Sequence, residues 1–171
     1  MNILFAKTIL YAYPVTDAVI EQIDELVEKR ALSSFSDFSP AFDQCLSVVK
    51  LSMQKDILFI LKKKVIEILP KFKLDEEDCL DYKYFKLKPK EYYKDFDTSS
   101  RAYFRKQIKI AEKAAKRLEN AGITDEFFEK YCLKIDFIKK LYERVKEKEE
   151  LSFKNKPKVN NQIAYSKSFS S

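Results

Sequence analysis

A chain of 171 residues with a single glycine, Gly122, has few ways to turn. Sheets, hairpins and nucleotide-binding α/β folds use glycine wherever the backbone must take a positive φ. One glycine excludes a Gly-rich phosphate loop and favours helices joined by short connections. The expected fold class is therefore all-α, a helical bundle. Histidine is absent, which removes the commonest general base and the commonest zinc ligand. The three cysteines, Cys45, Cys79 and Cys132, form no CxxC pair. Each lies in an apolar helical pattern and is expected to be a small buried hydrophobe, as suits a reducing cytoplasm. Carboxylate pairs such as Glu76-Glu77 and Glu149-Glu150 are sequence neighbours and diverge on a helix. No catalytic constellation, enzyme activity, cofactor or metal site is expected.

Apolar spacing divides the chain into helices. Residues 2–12 cluster Ile3, Leu4, Ala6, Ile9, Leu10 and Tyr13, and Pro14 is expected to end that helix. Lys7 interrupts the apolar stretch and no charged region precedes it, so a soluble cytoplasmic protein without a membrane span is expected. Thr16 is the expected cap of a second helix over 17–32, buried through Val19, Ile20, Ile23, Leu26 and Val27. Its acidic residues are expected to be a solvated face. Ser39 and Pro40 start a long third helix, 40–69, with a stripe of Phe42, Cys45, Leu46, Val49, Met53, Ile57, Ile60, Leu61 and Val65. So long a helix is expected to be the spine of the bundle, packed by the first two, or the seam of a homodimer. The domain organisation read from this is 1–70 as an N-terminal helical region, 71–122 as a central module, 123–151 as C-terminal helices packing on that module, and 152–171 as a disordered tail. Asn120-Ala121-Gly122 is a helix stop and Thr124 caps the next helix, 125–132. Phe127, Phe128 and Tyr131 are expected core anchors. A last amphipathic helix over 136–150 carries Phe137, Ile138, Leu141, Tyr142 and Val145.

Charge singles out the central module. Residues 1–69 hold eight basic and nine acidic side chains, whereas residues 82–118 hold twelve basic and four acidic, net +8 against +6 for the whole chain. Concentrated positive charge is the signature of a surface that meets phosphate. The module reads as a helix over 75–85, a short helix over 89–95 begun by Pro89, a polar turn Phe96-Asp97-Thr98-Ser99, and a long basic helix over 100–120. Ala102, Tyr103, Ile110, Ala114 and Leu118 are expected to face inward. A helix opening with Ser and Arg beside a polar turn suits a major groove. Arginine can hydrogen-bond guanine twice, and a helix N-terminus can hold phosphate. Lys90, Ser99, Ser100, Arg101, Arg105, Lys106 and Lys109 are the candidate nucleic-acid-binding residues.

The module resembles the promoter-reading C-terminal helix-turn-helix of bacterial sigma factors and the related sigma-like regulators of phages and Gram-positive bacteria. The matching features are Leu74 followed by Asp75-Glu76-Glu77, a hydrophobic helix ending Tyr84-Phe85, Glu91, Ser99, and the basic run Arg101 to Arg117. Tyr93 and Asp97 stand where the family has a small residue and often a glycine, and Tyr103 where it usually has Val or Ile. The resemblance covers about a quarter of the chain. It implies a DNA-binding transcription regulator acting on double-stranded DNA, with RNA polymerase or another protein as a possible partner. The alternative is a helical protein-interaction module, a phage or host adaptor without sequence-specific DNA binding.

Overall fold

The computed structural model describes residues 1–33, 41–87 and 100–154, with backbone only at 33, 41, 100–101 and 152–154. Every regular element among them is helical, as the scarcity of glycine requires. The α-helices are α1 (Ile3–Ala12), α2 (Thr16–Ser33), α3 (Ala41–Ile68), α4 (Leu74–Leu80), α5 (Ser100–Asn120), α6 (Asp125–Lys130) and α7 (Asp136–Lys154).

α1 is the centre. Phe5, Ala6, Thr8, Ile9, Leu10 and Ala12 are all buried, so the helix is covered on nearly every side. A helix apolar around its circumference belongs inside a protein. It packs on α7, α5, α3 and the turn that follows α4. Its aromatic residues and the one that follows take separate partners: Phe5 stacks on Phe128 with centroids 4.3 Å apart, Tyr11 meets Tyr84 at 4.7 Å, and Tyr13, just past the helix, meets Phe85 at 5.0 Å. Thr8 satisfies its buried hydroxyl by donating to the Leu4 carbonyl.

Pro14 does not stop the helical path. One 3-10 turn, Tyr13–Val15, carries the chain directly into α2. Thr16 is therefore not a cap: it is helical and buried, and its Oγ1 donates to the Ala12 carbonyl at 2.9 Å. The path Ile3–Leu32 is long and apolar enough by composition to cross a bilayer, and 44% of its most apolar window is buried inside the fold.

α2 and α3 lie antiparallel. Lys62 reaches Asp17 and Lys55 reaches Asp24, each with an N–O distance of 2.5 Å, so two acids expected to be merely solvated instead tie the pair together. Ile20 and Ile23 are buried, while Leu26 is exposed. α3 departs furthest from expectation. Leu58, Leu61, Val65 and Ile68 are buried in its second half, but Phe42, Cys45, Leu46, Val49, Met53 and Ile60 are exposed. The apolar stripe exists, but the buried positions of α3 are confined to its second half. Cys45 is consequently not a core residue, whereas Cys79 and Cys132 are. The Ser39-Pro40 start lies outside the described residues.

α4 runs into a π-helical turn, Asp81–Phe85, ended by Lys86 at φ 58. That turn places Tyr84 and Phe85 in the core. α5 ends as the sequence reading expects. Gly122 takes φ +95, its amide donates to Glu119, and the Ile123 amide donates to Leu118, which is the Schellman closure. Thr124 Oγ1 accepts from the Phe127 amide at 3.1 Å and starts α6. Phe128 is fully buried, Phe127 packs at the margin of the core, and Tyr131 is half-buried against Phe127. α7 continues to Lys154, three residues into the stretch expected to be tail. The rest of that tail lies outside the described residues.

These placements set a stability contrast. Leu58→Ala and Leu118→Ala should each cost about 2–5 kcal/mol, because each empties a fully buried site. Ile66→Ala, on the exposed side of α3, should cost about 1 kcal/mol or less. Gly122→Ala should cost about 1–2 kcal/mol from its positive φ alone, since an added Cβ would meet nothing within 4 Å. Urea unfolding followed by far-UV circular dichroism measures all four.

Candidate nucleic-acid interface

α5 divides cleanly by periodicity. Ile110, Ala111, Ala114, Ala115 and Leu118 are buried against the core. At 3.6 residues per turn, Arg105, Lys106, Lys109, Lys113 and Lys116 fall within an arc of roughly 100° on another side. Ala102 lies in that basic arc and is exposed, not inward as expected. Tyr103 is half-buried, edge-on to Tyr82 at 6.3 Å, and packs at the margin of the core.

α4 runs beside this arc and forms an open groove with it. Asp75 and Glu76 line one wall; Ala102, Arg105, Lys106, Lys109, Ile110 and Lys113 line the other. The acids of α4 are explained in part by the helix dipole, which favours negative charge at an N-terminus. They also reach across the groove. Lys106 pairs with Asp75 at 2.9 Å, and Lys113 pairs with Glu76. Glu76 is buried and its second oxygen accepts from the Lys73 amide at 3.2 Å, closing the start of α4.

These contacts move both carboxyls down. The hydrogen bond from Lys106 holds Asp75 below the usual carboxylate range. Burial pushes Glu76 up, but the Lys113 hydrogen bond, the Lys73 amide and the Lys113 charge together outweigh it and leave it lowered. Both groups therefore stay ionised at neutral pH, and the groove holds two internal ion pairs. Lys109 sits between them and Arg105 just before the first, both exposed, with no ion pair to another described residue.

Of the residues singled out in the sequence, the structure brings Arg105, Lys106 and Lys109 to one groove. Ser100 and Arg101 belong to the first turn of α5, with their side chains undescribed. Lys90 and Ser99 lie outside the described residues, as do the expected 89–95 helix, Tyr93 and the Phe96–Ser99 turn. Arg117 leaves the basic arc. Its guanidinium lies 4.0 Å from the centre of the Phe72 ring and donates to the Lys71 carbonyl, locking α5 to the end of α3.

Sequence reasoning missed Asp75 and Glu76 as counter-ions. A run of acids opening a helix reads the same whether or not it faces lysines across a groove. It also missed the surroundings of the π-helical turn. There Lys7 pairs with Glu149 at 2.7 Å, and burial pulls the Lys83 pKa down, helped by the Lys7 charge. Burial followed by the Glu149 charge raises Tyr11 to about 12. The fully buried Tyr84 hydroxyl has no hydrogen-bond partner among the described residues. Among those residues no group of His, Cys, Asp or Glu could hold a metal ion. No family model, curated protein or solved structure matches the chain.

The lowered carboxyls predict an acid-labile contact. The unfolded chain takes up these protons at ordinary carboxylate pH, before the folded chain does. Their stabilisation is thus present above about pH 4 and lost as pH falls through the lowered folded values. Glu76→Gln should cost on the order of 1 kcal/mol at neutral pH and flatten the acid arm of a Tm-against-pH profile, as read by thermal unfolding.

Proposed function

We propose that the chain is a DNA-binding transcription regulator whose reading helix is α5, with α4, the 89–95 segment and α5 forming a sigma-factor-like helix-turn-helix. The observation that carries the reading is the basic arc of α5, where Arg105 and Lys109 stay exposed beside two internally neutralised lysines. In this reading Arg105 and Lys109 meet phosphate or base edges. The resemblance assigns Lys90, Ser99, Ser100 and Arg101 to the same role, and a helix N-terminus favours phosphate through its amides. Asp75 and Glu76 limit how strongly the groove attracts any polyanion, so that contacts at the N-terminal turn of α5 weigh more. The partner class is double-stranded DNA, with RNA polymerase as a protein partner suggested by the resemblance, in a cytoplasmic setting.

A second reading, a helical protein-interaction module, is favoured by one observation. The first half of α3 presents Phe42, Leu46, Val49 and Met53 to solvent.

Titration of the full chain against random duplex DNA at increasing salt separates the two. Binding through the basic arc should weaken steeply with salt, because bound phosphates release counterions. Arg105→Ala with Lys109→Ala should weaken binding at least about tenfold at low salt and reduce the salt slope by about 2. Asp75→Asn should have the opposite sign and tighten binding several-fold, since it raises the net charge of the groove by one. Unchanged binding in the double variant would remove α5 as the reading helix. Capture of a protein partner with undiminished yield after nuclease treatment, with no duplex binding, would favour the second reading.

A further inference from the structure

Five of the exposed apolar residues of α3 are ordered, while Phe59 and Ile66 lie on another side. Phe42, Leu46, Val49 and Met53 recur at steps of four, three and four, and Ile60 continues the series. At 100° per residue the five share an arc of roughly 60°. So narrow a stripe is the geometry of a coiled-coil seam, not of a globular core face. Lys55 and Lys62, which hold α2, lie roughly opposite it on the wheel. The seam therefore points away from α2, and no described element packs over it. Phe42 is 72% exposed and Met53 55%.

We propose that the seam is a homodimer interface, in which α3 of a second copy lies antiparallel with the two-fold axis between residues 47 and 48. In that register Phe42 meets Met53 of the partner subunit and Leu46 meets Val49 of the partner subunit. Symmetry repeats both, giving four apolar layers. Charge selects this arrangement over a parallel one. It sets Asp43 opposite Lys50 of the partner subunit, twice over. Neither residue forms an ion pair with another described residue of its own chain. A parallel seam would instead stack Asp56 on its own copy and Lys63 on its own copy at central positions, which like charges disfavour. Packing agrees with charge. The core surrounds the second half of α3, from Leu58 to Ile68, so antiparallel pairing of the first halves puts the two cores at opposite ends.

The area is modest. Four layers with their flanking residues bury on the order of 1,000 Å² in total, the lower limit of a specific interface, so a micromolar dimer is expected. The interface is independent of the DNA reading, since it involves no residue of α5.

Sedimentation velocity on the full chain from about 1 to 300 µM tests this. The expected result is a concentration-dependent dimer. Leu46→Glu should abolish it across that range while leaving the far-UV spectrum unchanged, because Leu46 is exposed in the monomer. Asp43→Lys and Lys50→Glu alone should each weaken the dimer about tenfold, and the two exchanged together should restore it to within about threefold. A monomer at every concentration, or a dimer indifferent to Leu46→Glu, overturns the interface. Failure of the double exchange to restore association overturns the antiparallel register.

Discussion

Enclosure of α1 is the constraint on which the remaining helices depend. Ten residues supply Phe5 to α6 and α7, Tyr11 to the π-helical turn after α4, and Ile9 and Leu10 to the shared core, and Tyr13, in the turn that follows, adds a second contact to the π-helical turn. Each neighbour is held by contact with α1 more than by the loop that joins it to the next element. Burying an aromatic or aliphatic side chain contributes about 1.5–3 kcal/mol, so several such contacts on one short helix outweigh any single connection. The rotation of α5 follows. Once Ile110, Ala114 and Leu118 are directed inward, the lysines at positions between them have only the outer side to occupy.

That outer side is less basic than its composition suggests. Asp75 and Glu76 come from a stretch that looks, in sequence, like an acidic boundary in front of a basic module. Folding lays the boundary along the module, and each acid takes a lysine. What remains is a short exposed cationic region around Arg105 and Lys109, with further positive charge at Lys116. Net charge along a sequence therefore overstates the surface potential wherever folding sets opposite runs side by side. The same point applies to Arg117, which belongs to the basic run in sequence and to the α3–α5 junction in space.

Local chemistry was legible where one or two residues decide the outcome. Gly122 closes α5 because its backbone takes a positive φ, and Thr124 starts α6 because its hydroxyl accepts from the third amide after it. Inward positions on α5 followed from the 3.6-residue period, apart from Ala102, which is too small to report a face. Thr16 was misread because the residues around a cap look the same when a proline only tightens one turn. The hydroxyl then bonds backwards to Ala12 instead of forwards to a new helix. Cys45 was misread for a different reason. Periodicity establishes that side chains share a face, but whether that face is covered depends on how far the neighbouring helices extend. Nothing local to residues 41–54 records that α1 ends where it does. The site was legible in its cations and opaque in their partners, since a pairing such as Glu76 with Lys113 spans 37 residues.

α3 shows how two apolar patterns can occupy one helix. Its second half directs Leu58, Leu61, Val65 and Ile68 into the core. Its first half directs Phe42, Leu46, Val49 and Met53 roughly 120° away, on the side opposite α2. Superimposed, the two patterns make the helix look apolar around most of its circumference, as a fully buried spine would. Separated by height, they are two stripes with different demands. The first is met within the chain. The second leaves four large apolar side chains in water, in a seam with opposite charges at its flanks. An apolar seam of that length is costly to leave hydrated, and the ion pairs between α2 and α3 hold it pointing outward, away from α2. The proposed homodimer meets that demand with the surface the chain already has.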